Sequence, residues 1–125
     1  MAPAGAQSDR VAVIPDVAPV PRPEWSPVPR EGCVGVESKL LLRADDLSLA
    51  VLRFGAHATI DEHAASHEIV VVCLEGAGFT SVAGDTAALQ AGERVVWPPG
   101  LPHRVWTETS HMLTLMVERS TAVRL

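Results

Sequence analysis

The stretch Gly92-Glu93-Arg94-Val95-Val96-Trp97-Pro98-Pro99-Gly100-Leu101-Pro102-His103-Arg104-Val105-Trp106-Thr107 decides the fold. It opens on a glycine turn, runs through a short apolar segment and breaks at Pro98-Pro99-Gly100. Proline presets φ there, and glycine takes up turn conformations that other residues resist. His103 then stands at the start of the next short strand. A strand–turn–strand unit of this kind holds an imidazole at a fixed place.

Outward from this unit, the chain reads as strand after strand. Residues 33–43 carry Val34, Val36, Leu40, Leu41 and Leu42, and residues 47–54 alternate up to Gly55. Residues 69–74 form a continuous apolar run rich in β-branched side chains. Residues 79–82 end at Ala83-Gly84-Asp85, a hairpin signal. Residues 87–90, 93–97, 105–107 and 112–117 complete the set. Turn residues recur at about 8–12 positions, the spacing of an all-β sandwich or barrel. No segment sustains a helical period with caps. Val70-Val71-Val72 is apolar on both faces, so this strand is expected to be covered on both sides, by a barrel interior and by a second sheet or subunit.

Residues 1–31 differ. Seven of the ten prolines fall between Pro3 and Pro29, and proline removes backbone donors. We read residues 1–31 as a proline-rich N-terminal arm and residues 32–125 as the barrel domain. The arm has room for a short strand at 11–14, and Trp25 is its candidate anchor. Two readings of the arm stand side by side: a partly disordered tail, or a segment packed on its own barrel or a neighbour's.

A second stretch carries chemistry: Gly55-Ala56-His57-Ala58-Thr59-Ile60-Asp61-Glu62-His63-Ala64-Ala65-Ser66-His67-Glu68. Imidazole is the commonest metal ligand, and a site needs three or four donors converging on one point. On one extended strand His63 and His67 would lie about 13 Å apart, too far to share an ion. The chain must therefore turn at Ala64-Ala65-Ser66. The helical alternative, a zinc-protease HExxH pair, fails because Ala64 stands where its glutamate belongs.

These two stretches resemble the motifs of the cupin superfamily. Gly92, Pro98, Gly100 and His103 keep the spacing of the second cupin motif, with Thr107 where asparagine is usual. The first motif is looser: Gly55 fits, Asp61 replaces the first histidine, and His63 matches the second. The resemblance covers about residues 47–118. It implies an all-β, double-stranded β-helix (jelly-roll-like) barrel, a homodimer and a pocket between two sheets holding a divalent transition metal: iron, zinc, manganese, nickel or copper.

The third ligand is open. Counting forward from His63, Glu68 stands where the family's glutamate belongs. Counting back from Gly76, the inward position is Ile69, with His67 on the same face. The chain has one residue too many for the counts to agree. With His67 the metal set is His63, His67 and His103; with Glu68 it is two histidines and a carboxylate suited to iron(II) or manganese. Asp61 is a further carboxylate. Whichever of Glu68 and His67 is not a ligand is the candidate base. His57 and His111 are expected at the surface, Phe79, Met112 and Met116 in the core, and Glu68, Glu75 and Glu118 belong to a class more often solvated than catalytic.

Two function classes follow. One is a metal-dependent enzyme acting on a small organic molecule, by resemblance a dioxygenase, isomerase, decarboxylase or lyase. The other is a non-catalytic small-molecule-binding or sensor cupin. A sugar-isomerase mechanism with a tyrosine acid is excluded, since the chain has no tyrosine. Val, Leu, Ala and Trp are expected to line the pocket, favouring an apolar or neutral ligand.

The net charge of -5 is scattered, and the ten basic residues form no stripe, so no nucleic-acid footprint exists. No apolar run approaches the roughly 20 residues that span a bilayer. With no secretory signal in MAPAGAQSDR, cytoplasm is the expected location. Cys33 and Cys73 are expected as free thiols.

Overall fold

The computed structural model describes residues 13–119. Eight strands follow in order: β1 (Arg22–Pro27), β2 (Cys33–Arg43), β3 (Leu47–His63), β4 (Ile69–Val82), β5 (Asp85–Gln90), β6 (Arg94–Trp97), β7 (His103–Trp106) and β8 (Met112–Arg119). All pairings are antiparallel. No helix long and apolar enough to cross a membrane occurs among them.

Two long strands build the barrel by serving both sheets. The first half of β3 pairs with β8 and its second half with β7. The first half of β4 pairs with β6 and β8, and its second half with β5 and β7. This is the double-stranded β-helix that the resemblance implies. The sequence separated 69–74 from 79–82, whereas they form one strand. The join runs through a bulge at Leu74, where register shifts between Cys73 and Glu75, and through Gly76. Gly76 has φ +75°, and a Cβ there would stand 2.0 Å from the His111 carbonyl oxygen.

Alternation sorts the side chains. Val36, Leu52, Phe54, Ala58, Ile60, Ile69, Val71, Cys73, Leu89, Trp97, Val105 and Met112 point inward and form the core. Thr114 is fully buried among them and donates to the Leu52 carbonyl at 3.3 Å. The opposite face of the sheet carries Leu49 and Val51 across from Val117 and Leu115, which also pair with Val70 and Val72. Phe79, expected in the core, instead stacks on Trp106, their centroids 5.8 Å apart, and both are half-buried.

The second part of the proline-rich segment belongs to the barrel, since β1 pairs with β2. Trp25 fastens it on the outer face, with Lys39 and Arg53 over its ring at 4.7 and 4.3 Å; such cation–π contacts attract through the ring quadrupole. Of the strand expected at 11–14, residues 11 and 12 lie outside the described residues, and Val13 and Ile14 are exposed and outside any strand. Cys33 and Cys73 are free.

Thr107 explains itself at the asparagine position. It is buried, donates to the Gly55 carbonyl at 2.6 Å and accepts from the Ala58 amide at 3.0 Å. These bonds fix the bend where β3 passes between sheets, with His57 at φ 55° and exposed.

Gly76 and Gly84 share a left-handed φ, but a Cβ at Gly84 meets nothing within 4 Å. Gly84→Ala is expected to cost about 1 kcal/mol from backbone strain alone. Gly76→Ala adds a backbone clash and is expected to cost well over about 2 kcal/mol. Urea unfolding of the two variants checks the difference.

Candidate functional site

The register of β3 against β7 sets His63 directly opposite His103. Directly opposed residues project to the same face of a sheet. Simple alternation from Ile60 would turn Glu62 inward and His63 out. A register shift between Ile60 and His63 places one extra residue on β3, and this bulge returns His63 to the inner face. The backbone bond from Gly100 to the Ala65 carbonyl, 2.8 Å, ties the loop after His63 to the turn before His103.

The two rings meet edge to face, centroids 4.5 Å apart, with their Nε2 atoms 3.2 Å apart. His103 is 1% exposed and lies flat on Trp97, centroids 3.9 Å apart and planes 8° apart. Trp97 is held in turn: its indole donates to Thr80 Oγ1 at 3.0 Å, and Thr80 donates to the Arg104 carbonyl at 2.8 Å. His63 Nδ1 lies 2.9 Å from the Asp61 carbonyl oxygen and its Nε2 lies 2.6 Å from Arg30 Nη1. Arginine only donates, so His63 Nε2 accepts and Nδ1 carries the proton given to Asp61. His63 Nε2 therefore faces a permanent cation.

Burial pushes the His103 pKa down to about 4, helped by His63 and Arg30 and opposed by the Leu101 carbonyl. Its buried Nδ1 has no hydrogen-bond partner. Desolvation outweighs the weak pull of the Leu101 carbonyl, and the ring is neutral near pH 7.

Above this pair lies a cavity of about 350 Å³, within the range of small-molecule sites. Leu40, Ala50, Leu52, Ile60, Trp97 and Met116 give it apolar walls, and His63 reaches it. Beyond the Val, Leu, Ala and Trp walls expected from the sequence, Arg22, Arg30, Arg43 and Glu118 line it too. A larger depression of about 750 Å³ around Trp25, Arg53 and Glu75 lies apart from both histidines. Its Arg53 is already paired with Glu37 at 2.6 Å.

The other sequence candidates lie elsewhere. His67 Nε2 is 3.3 Å from Glu118 Oε1, in a side depression with Arg43 and Asp45. Glu68 lines neither this depression nor the cavity; its carbonyl accepts from the Arg119 amide. Ile69, 3% exposed, takes the inward position counted back from Gly76. The extra residue in that count is Leu74, left over at the bulge of β4 and exposed. Asp61 contributes its carbonyl, while Thr59 donates to its carboxylate at 3.1 Å.

The donor set answers the question of a metal. A spacing of 3.2 Å suits two nitrogens sharing an ion. A catalytic ion needs a third protein donor, and no group of three or more His, Cys, Asp or Glu suited to a metal exists among the described residues. Isoleucine fills the family's carboxylate position, and a guanidinium sits against His63. These residues do not fit the metal that the resemblance implies.

Sequence reasoning missed Arg30 and Glu118 in the cavity. Alternation along Met112, Thr114 and Met116 would have turned Glu118 inward. Arg30 lies within the proline-rich segment and had no such signal.

Comparison with known proteins follows from this geometry. A family model of the AraC-binding-like domain matches residues 41–125. No curated protein matches the sequence. Among solved structures, the polyketide cyclase RemF from Streptomyces resistomycificus is similar at 20% identity and TM-score 0.74, over 87% of this chain and 81% of that one. KdgF from a Halomonas species gives 18% and 0.69, over 79% and 87%. An RmlC-like cupin from Shewanella frigidimarina gives 24% and 0.65, over 70% and 78%. At these identities the likeness is one of fold.

The low pKa of His103 has a measurable consequence. The unfolded chain takes its proton near pH 6.5 and the folded chain near pH 4. This contribution to stability is full above pH 6.5, shrinks as pH falls toward 4, and is gone below. Between pH 7 and pH 5 the loss should be about 2 kcal/mol. Urea midpoints at the two pH values should converge by that amount in His103→Gln relative to the unmodified chain.

Proposed function

The chain belongs to the AraC-binding-like domain family within the cupin superfamily, and from this premise we propose that it is a small-molecule-binding, sensor-type barrel working without a resident metal. The ligand occupies the cavity between the inward faces of β2, β3, β6 and β8, over His63 and beneath the Val28–Arg30 segment that joins β1 to β2. The observation that carries this reading is the Arg30 guanidinium at 2.6 Å from His63 Nε2. A cation there and a metal on the same nitrogen exclude each other.

The cavity residues divide the work. Trp97, Leu52 and Ile60 offer apolar surface, worth about 25 cal/mol per Å² removed from water. His63, fixed by Asp61, orients Arg30. His103 and Trp97 hold His63 from behind. The metal-dependent enzyme reading rests on the 3.2 Å spacing of the two Nε2 atoms and lacks its third donor.

Two measurements test this. Elemental analysis of the purified chain is expected to find metal far below one equivalent. One equivalent that disappears in both His63→Ala and His103→Ala would overturn the reading in favour of the enzyme. A thermal-shift screen of small metabolites is expected to give ligands worth about 2.7 kcal/mol of stabilisation at a hundredfold excess over Kd. Ala50→Phe, which fills the cavity, should abolish them.

A homodimer is proposed alongside, supported by the outward Val70, Val72, Leu115 and Val117. Sedimentation should give twice the monomer mass, and Val72→Lys should reduce it to one.

A further inference from the structure

We infer that the ligand is a small organic carboxylate with an apolar body, its carboxylate taken by Arg30 and its body laid against Trp97, Leu52 and Ile60. This deepens the ligand-binding reading and rests on it.

Arg30 brings unbalanced charge to the cavity. Among the described residues Arg53 pairs with Glu37 and His67 contacts Glu118, and no carboxylate is recorded against Arg30. Its one side-chain partner among the described residues is His63 Nε2, an acceptor that uses one of five guanidinium N–H donors. The remaining donors stay in a rigid planar fork suited to a carboxylate, which accepts two parallel bonds. Immobilisation by His63 lowers the entropy that ligand binding must remove.

The rest of the cavity agrees in sign. Arg22 and Arg43 line the same cavity, so cations outnumber the single carboxylate of Glu118. Glu118 is turned toward His67, at 3.3 Å. Clefts lined by one sign of charge concentrate ligands of the other. A cavity of about 350 Å³ with apolar walls adds a demand for an uncharged, largely apolar remainder. Neutral sugars lack the anion, and nucleotides carry several charges with little apolar surface.

Matched pairs of ligands differing only in charge test this by isothermal titration: benzoate, phenylacetate and octanoate against their amides. At least one acid is expected to bind roughly tenfold to a hundredfold more tightly than its amide. Arg30→Gln should erase that preference, and Arg30→Lys should restore part of it. Arg94→Gln, exposed on β6 and outside the cavity, should leave it intact. Equal binding of acids and amides, or a preference that survives Arg30→Gln, overturns the assignment. If both series bind equally and Ala50→Phe abolishes both, the carboxylate falls while the ligand-binding barrel stands. If neither series binds, the carboxylate assignment is overturned too.

Discussion

The structure depends on the register between β3 and β7, with its one extra residue between Ile60 and His63. Side chains on a strand alternate, so a slip of one residue sends every side chain to the other face. Without the bulge, Glu62 would enter the barrel and His63 would leave it. A carboxylate there would offset the charge of Arg30, and the cavity would lose part of its positive excess. The bulge therefore sets the chemistry of the interior as well as its shape. The turn at Pro98-Pro99-Gly100 holds this register through the Gly100–Ala65 bond.

From that pairing a chain of orientation runs through the barrel. The Arg104 carbonyl fixes Thr80, Thr80 fixes the Trp97 indole, and Trp97 supports His103 face to face. His103 meets His63, and His63 meets Arg30. Each link leaves little freedom to the next. Burial keeps His103 neutral, and a neutral His103 is what permits a cation to rest on its neighbour. A protonated pair of imidazoles beside Arg30 would gather three like charges within one small volume, which low-dielectric surroundings penalise heavily.

Much of this was legible in the sequence. The spacing from Gly92 to His103 points to the cupin barrel, and of the two histidines expected in its pocket His63 lines the cavity while His103 is buried. The ligand ambiguity between His67 and Glu68 came from counting across an unseen bulge. Leu74 carries no turn signal, yet it absorbs the residue that spoiled the count. A bulge has weak sequence character outside glycine, because its cost lies in lost pairing rather than in a particular side chain. Glu118 was within reach of alternation but was judged by its residue type. Arg30 was not legible, because its partner lies 33 positions away and its own segment reads as a proline-rich arm.

If the proposed ligand site holds, the position of Arg30 changes how the barrel attracts a ligand. A metal held by imidazoles binds through open coordination positions and accepts any suitable donor, charged or neutral. A guanidinium keeps its charge at every accessible pH and offers directed N–H groups in one plane. It selects for planar anions and gives them no route to electron transfer or to an ionised water. On the proposed reading, the two-histidine motif keeps its imidazoles in a different part: one buried as a support, the other as the acceptor that aims a cation. Arg30 stands in the segment joining β1 to β2, so the strand pairing of β1 and the Trp25 contacts that dock it become part of the site. The proline-rich segment is then a working wall of the cavity, and the barrel has no complete positive end without it.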